Sequence, residues 1–314
     1  MRHRIMRISI VPAALIILSC LAGCSWLGVV SVPAEEMRAR YLKPEDKFFA
    51  YRGMEIRYRD EGQGPAVVLI HGVCSSLETW DAWAQGLKQR YRVVRMDLPG
   101  FGLTGPAPDK SFYDRQSSIE TLDTLVDHLG LESFFLVGNS LGGFISWNYS
   151  LKHPDKVRKM ILIDPVGFND RHPGLITFAG NPLVRPVARR MMPRFLVDKG
   201  TTGVYGDKSK VTRELKDRYF DFAMSDGNKA SYVDVFVQVK QWTKSGTLAE
   251  GIPEITVPTL VMWGTKDEWI SYSNMSSWQQ ALPGARYLSY EGAGHVPMEE
   301  IPEETLKDAL EFLQ

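Results

Sequence analysis

The sequence predicts an α/β fold: a mostly parallel, doubly wound sheet with a helical cap inserted after its sixth strand. Three observations carry this. Residues 66–70, AVVLI, form an unbroken apolar run, as suits a strand buried on both faces of a parallel sheet. From there to about residue 167, strand-like and helix-like segments alternate, as they do where crossover helices join parallel strands. Between residues 168 and 254 the alternation stops and only helix-like periodicity, broken by prolines, is found before strand-like runs resume. From residue 46 onward the 314-residue chain thus divides into a core over 46–167 and 255–314 and a helical cap over 168–254.

The chain opens with MRHRIMRISIVPAALIILSCLAGC, a basic start followed by an apolar run from Ile8 to about Leu18 that is too short for a comfortable membrane span. Residues 1–23 read as an export signal. Leu21, Ala22, Gly23 and Cys24 resemble a bacterial lipobox, which implies cleavage before Cys24 and its acylation. Ser25, in place of aspartate, resembles the signal that sorts such lipoproteins to an outer membrane. The expectation is a lipid-anchored protein of the bacterial cell envelope, facing the periplasm, with residues 24–45 as lipidated cysteine and tether. One acyl chain binds only marginally, at about 0.8 kcal/mol per buried CH₂, whereas several make the anchor effectively permanent. Cys20 leaves with the signal and Cys24 takes lipid, so Cys74 has no partner for an internal disulfide and reads as a small buried filler.

After the tether, FFAYRGMEIRYRDEGQG reads as two short strands about a turn at Arg52 and Gly53. AVVLIHG follows as a buried strand, then WDAWAQGLKQR, YRVVRMDLPG, SSIETLDTLVDHLG, ESFFLVGNS, LGGFISWNYSLKH and KVRKMILIDPVG, helix-like and strand-like in turn. In the cap, VTRELKDRYFDFAM and ASYVDVFVQVKQWTKSG look like helices with aromatic faces. ITVPTLVMWGTKDEWI and ARYLSYEGAGHVP return as strands with SNMSSWQQAL between them, and ETLKDALEFL closes the chain as a helix.

Composition excludes several classes of function. With 44% hydrophobic and 24% charged residues the chain is an ordinary globular protein. Its 37 basic and 37 acidic residues balance, and loss of residues 1–23, with three arginines and no acid, leaves 34 against 37, a net charge of −3. Nucleic acid is therefore not an expected partner. No cofactor and no metal is expected, and the oligomeric state is left open.

The chemistry is expected at GNSLGG, residues 138–143, between a strand-like and a helix-like run. A strand that turns at once into a helix needs a tight, strained turn, and glycines two residues either side let the two backbones approach. Gly138 and Gly142 stand there around Ser140. This G-x-S-x-G resembles the nucleophile elbow of the α/β-hydrolase superfamily, in which the amide after the serine, here Leu141, faces the reacting carbonyl oxygen. A serine nucleophile needs a base and a carboxylate to hold that base, and the superfamily's chain order is serine, acid, histidine. After Ser140 the histidines are His153, His172 and His295. His153 reads as a helix C-terminal residue and His172 as a loop residue, whereas His295 in GAGHVP follows the last strand and is the expected base. Asp267 in GTKDEWI, at the tip of a strand, is the expected acid, with Asp164 in ILIDPVG as the second candidate. The second oxyanion donor is expected from HGVCSS, at the amide of Val73, with His71 ordering that loop.

The HG loop, DLPGFG at 97–102, GNSLGG, VPTLVMWGTKD and GAGHVPMEEIPEE occur in the superfamily's order and cover about residues 45–314. They resemble its cap-bearing branch of esterases, lipases, carbon–carbon bond hydrolases, epoxide hydrolases and haloalkane dehalogenases. The resemblance implies ester chemistry. Epoxide hydrolases and dehalogenases carry aspartate where this chain has Ser140. The carbon–carbon hydrolases typically show GPG after the HG loop and tryptophan after the histidine, where this chain has Cys74, Ser75, Ser76 and Val296. A small-molecule or lipid ester is the expected substrate, with Phe178, Met191, Met192, Phe195, Phe222 and Trp242 of the cap as candidates for an apolar acyl pocket. The rival from another class is a ligand-binding member of the same fold.

Overall fold

A computed structural model describes residues 27–168, 174–244 and 247–314. The export signal, Cys24 and His172 lie outside the described residues. Among the described residues eight strands form one sheet: β1 (Asp46–Tyr51), β2 (Met54–Glu61), β3 (Ala66–Ile70), β4 (Arg92–Met96), β5 (Phe134–Asn139), β6 (Val157–Ile163), β7 (Thr259–Gly264) and β8 (Arg286–Tyr290), in the order β1-β2-β4-β3-β5-β6-β7-β8. Only β1–β2 and β2–β4 pair antiparallel. The β1–β2 hairpin turns through Arg52 and Gly53, at φ +48° and +81°, the positive angles a two-residue hairpin requires.

β3, β5 and β7 are buried at every residue, which is why their sequences are unbroken apolar runs rather than alternating ones. Their side chains still divide between two faces. Val67, Leu69, Val137 and Met262 pack with Trp80, Trp83 and the C-terminal helix Pro302–Leu313 on one side. Val68, Ile70, Leu136 and Val261 pack with Leu122, Leu125 and Phe144 of helices Arg115–His128 and Leu141–Lys152 on the other. β3 has β4 on one side and β5 on the other, so the winding reverses between β3 and β5. A crevice opens beyond the carboxyl ends of the strands at such a point, and ligands bind there.

A buried ion cluster fixes the loops at that edge. The Arg57 guanidinium, fully buried, bonds Asp46 at 2.8 Å, Glu78 at 2.6 Å and Asp97 at 3.1 Å. Asp97 in turn accepts from the amides of Leu77 and Leu103, each at 2.8 Å, which joins the loop after β3 to the loop after β4.

Between β6 and β7, helices Gly174–Ala179, Arg185–Ala188, Arg194–Gly203, Arg213–Met224 and Asn228–Lys244 form the cap. The segment expected as a tether behaves differently from Leu27 onward. Val32 donates its amide to the Met224 carbonyl at 2.8 Å and accepts from the Asp226 amide at 2.9 Å. Residues Ala34–Tyr41 form a helix whose Met37 is fully buried with Phe222 and Leu103. An apolar side chain with a cap surface to cover holds this stretch down. Among the described residues no helix is long and apolar enough to cross a membrane.

Candidate active site

Ser140 sits between β5 and helix Leu141–Lys152 with φ +56° and ψ −116°, a strained combination for a residue with a side chain. The glycines explain how the turn closes. A Cβ on Gly138 would overlap the Gly142 carbonyl, and one on Gly142 would overlap the carbonyl of Ile70 in β3. The strain is held by bonds on both sides: the Ser140 amide donates to the Ile163 carbonyl at 3.0 Å, and its carbonyl accepts from Phe144 at 3.0 Å. Leu141 opens the helix, so its N–H belongs to the first turn, where no intrahelical acceptor exists.

His295 follows β8 and Asp267 follows β7, and the structure brings them together: His295 Nδ1 lies 2.7 Å from Asp267 Oδ2. The other Asp267 oxygen accepts from the amides of Trp269 at 2.7 Å and Ile270 at 3.0 Å. With Asp267 ionised, Nδ1 carries the ring proton and Nε2 is left as an acceptor. The ring is buried and stacks on Trp269, centroids 6.0 Å apart.

Asp164 is close to the pair but makes a different contact. One oxygen accepts from the Gly264 amide at 3.0 Å, and Oδ2 has no hydrogen-bond partner among the described residues. Burial, and secondarily the charge of Asp267, push its carboxyl well above the usual carboxylate range. Burial thus favours the protonated form of Asp164, and it is Asp267 whose oxygen faces the imidazole. The oxygens of Asp164 and Asp267 and a ring nitrogen of His295 lie within 4.8 Å of one another. That donor set is poor for a cation, because burial favours the protonated form of one carboxyl and the other is engaged by three donors. The remaining histidines take other parts: His153 ends the elbow helix beside Asp123 at 3.6 Å, as expected for a C-terminal residue.

The loop carrying Val73 lies against the elbow so closely that a Cβ on Gly72 would overlap the Cβ of Ser140. His71 orders it. Its Nε2 accepts from the Leu98 amide at 3.0 Å, so Nδ1 donates to the Gly72 carbonyl at 2.7 Å, and burial lowers its pKa and keeps the ring neutral. Val73, Ser140 and His295 all line one cavity of about 290 Å³. Cys74 lines it too, and burial pushes its thiol up, away from the reactive thiolate.

The cavity is walled by the cap, though only partly by the expected residues. Phe178, Met191 and Met192 line it. Phe222 instead packs on Met37, Trp242 stacks on Phe144 at 4.9 Å, and Phe195 is exposed. Three residues of consequence escaped the sequence reading. Asn139, the unassigned letter of G-x-S-x-G, donates to the carbonyls of Ile163 at 3.1 Å and His295 at 3.0 Å and so binds the elbow to the histidine loop. Glu300 accepts from the amides of Gly294 at 2.8 Å, Gly206 at 3.0 Å and Asp207 at 2.7 Å, clamping that loop to the cap. Tyr232, on the last cap helix, lines the cavity with a buried hydroxyl that has no hydrogen-bond partner among the described residues. The GAGHVPMEEIPEE motif contained Glu300, but nothing in spacing tells which of its four acids turns inward.

Comparison with known proteins agrees with this geometry. Residues 65–302 match the alpha/beta hydrolase fold family. Over 277 residues the chain is 26% identical to the 2-hydroxy-6-oxo-6-phenylhexa-2,4-dienoate hydrolase of Comamonas testosteroni, covering 82% of this chain and 91% of that enzyme. Among solved structures it is similar to a bacterial membrane phospholipase A, at 27% identity and a TM-score of 0.72 over 96% of this chain and 97% of that one. It also shares the fold of a thermophilic esterase from Thermogutta terrifontis, at 23% identity and a TM-score of 0.72 over 85% and 97% of the two chains. The match over most of the length, with an eight-stranded sheet in this order and a serine at the strained turn after β5, means that the chain belongs to the alpha/beta hydrolase fold family.

Proposed function

We propose that the protein is a serine hydrolase acting on carboxylic esters, lipid esters among them, through an acyl-enzyme. The observation that carries this is the His295–Asp267 bond of 2.7 Å, with His295 and Ser140 lining one cavity that has an almost wholly apolar wall. In this reading His295 Nε2 takes the Ser140 hydroxyl proton as Oγ attacks the ester carbonyl. The oxyanion receives the amides of Leu141 and Val73, at the positive end of the elbow helix. Collapse of the tetrahedral intermediate expels the alcohol, which takes its proton from His295. Water, deprotonated by the same nitrogen, then releases the acid and restores Ser140. Asp267 holds the tautomer and balances the imidazolium charge.

The similarity to a membrane phospholipase A over nearly the whole chain supports a lipid ester. The similarity to a dienoate hydrolase supports a second reading, cleavage of a carbon–carbon bond by the same serine. Cys74, Ser75, Ser76 and Val296, where such enzymes typically carry GPG and tryptophan, weigh against it. The lipobox reading of Cys24 belongs to the same proposal: an envelope enzyme held at a membrane by its N-terminal lipid.

A fluorophosphonate, p-nitrophenyl esters of rising acyl length and a vinylogous diketone substrate separate the readings. The ester reading expects a phosphonyl adduct on the Ser140 peptide and ester turnover that rises with chain length. Turnover of the diketone with inert esters would replace it with the carbon–carbon reading.

A further inference from the structure

The cap carries large apolar side chains in water. Phe178 is 55% exposed, Leu183 89%, Val187 53% and Phe195 52%, on neighbouring turns of one sequence stretch. Large apolar side chains exposed together in one short stretch mark an interaction surface. Phe178 and Val187 also line the cavity, so the same side chains form its rim and its outer surface.

The N-terminal segment reaches this place. Met192, on the cavity wall, donates its amide to the Gly28 carbonyl at 3.2 Å, and Lys229 Nζ reaches the carbonyls of Gly28 at 3.1 Å and Val29 at 3.0 Å. Leu27, Val29 and Val30 are themselves 43%, 46% and 55% exposed. Leu27, the first described residue, and its neighbours Gly28 and Val29 thus lie on the cap, and the 26 residues of sequence before them, with the apolar run Ile8–Leu18 and Cys24, join the molecule at that point. Arg185 and Arg190 flank the apolar positions; their guanidinium groups donate to the carbonyls of Gly180 at 3.2 Å and Pro186 at 3.0 Å, and among the described residues neither pairs with a carboxylate.

We propose that this rim, Phe178, Leu183, Val187 and Phe195 with Leu27, Val29 and Val30, is a membrane-docking face that seats the cavity mouth on the leaflet holding the N-terminal anchor. Apolar side chains enter the boundary between headgroups and acyl chains, and the arginines meet phosphate oxygens. Substrate then passes from leaflet to Ser140 along an apolar wall without crossing water. This rests on the lipid-ester reading for its substrate, but the surface and its orientation are claims of their own.

The test uses the full chain reconstituted in vesicles of phosphatidylethanolamine and phosphatidylglycerol. Leu183→Trp reports docking through quenching by lipids brominated on their acyl chains. Asp155→Trp, in the exposed loop entering β6 at the amino ends of the parallel strands, opposite the crevice, is the control. Quenching of the added emission at 183 by more than half, with little at 155, is expected. Equal quenching at both sites, none at 183, or a wild type that does not float with vesicles would overturn the proposal. So would protection of residue 183 by a second copy of the chain in detergent-free solution without lipid.

A functional arm separates this from the ester reading. Leu183→Asp combined with Val30→Asp should leave hydrolysis of water-soluble p-nitrophenyl butyrate unchanged and lower hydrolysis of a vesicle-borne ester at least tenfold. Equal rates on vesicles for wild type and variant would overturn docking while leaving ester hydrolysis intact. Absence of both activities, with quenching at 183 intact, would remove the ester reading and leave the surface.

Discussion

At the scale of single residues, Ser140 and His295 are proposed to act as one unit. Ser140→Ala, His295→Ala and the double variant should then each lose about the same factor, on the order of 10⁶ in kcat, because the second change removes nothing the first has left. Additive losses in single-turnover kinetics would separate their roles. Asp267→Asn should lower activity by about 10⁴ through the wrong tautomer, in a protein that still folds.

Asp164 is a contrasting case, since it bonds the Gly264 amide rather than the ring and its burial favours the protonated carboxyl. An unfolded aspartate ionises near 3.9, whereas the folded carboxyl holds its proton well above that. The folded state thus binds more protons than the unfolded one above pH 4, and Asp164 costs stability as pH rises through that window, by up to about 1.4 kcal/mol per unit. Asp164→Asn removes the titration while keeping an oxygen for the Gly264 amide. Its gain in Tm over wild type should be larger at pH 8 than at pH 5, with most activity retained. A gain that shrinks with pH would contradict a neutral Asp164. Tyr232→Phe is expected to raise Tm, because a buried hydroxyl without a partner costs free energy. A raised KM for a polar ester in that variant would mark the hydroxyl as a substrate contact.

These side chains were unequally legible. Ser140, Asp267 and His295 stood out because reactive residue types lay at strand ends in a fixed order. Asp164 and Asp267, both at strand tips, are alike in sequence, and what separates them is a matter of a few ångströms: Asp267 meets the imidazole and Asp164 meets an amide. Tyr232 left no signal, since an orphaned hydroxyl exists only once the helix is packed.

At the scale of elements, the elbow and the histidine loop are braced differently. The elbow depends on the absence of side chains. Gly142→Ala would drive a methyl into the Ile70 carbonyl, and no soluble folded protein is expected from it. The histidine loop depends on Glu300, whose carboxylate serves three amides in a buried position. Glu300→Ala strands those donors and should cost about 3 kcal/mol, with kcat falling more than KM rises as His295 loosens. Chemical denaturation and steady-state kinetics on a water-soluble ester check both. Strands β3, β5 and β7 were readable because burial on two faces forces an apolar run. The segment Leu27–Tyr41 was not, because its hold on the cap rests on one buried methionine and on scattered hydrogen bonds of Gly28, Val29, Val32 and Tyr41. Neither is a periodic pattern.

At the scale of the whole molecule, the proposal joins a catalytic core to a membrane through its N terminus. Cys24→Ser should abolish palmitate incorporation and release the protein from membranes, with esterase activity retained because nothing in the triad lies there. Metabolic labelling of wild type and variant, followed by fractionation, checks it; an unlabelled wild type would remove the anchor. The division into sheet and cap was legible from the interruption of strand-like runs, whereas the way the two halves grip each other was not. That grip has a consequence for how such proteins are remade. The His295 amide is held at 2.7 Å by the carbonyl of Val204, a residue of the inserted helices. A cap cannot be exchanged as a cassette between relatives unless the donor supplies a carbonyl at that place and two amides for Glu300. Chimeras joined only at the ends of β6 and β7 would inherit a sound sheet and an unmoored base, so the unit of inheritance is the cap together with the GAGHVPMEE loop that answers it.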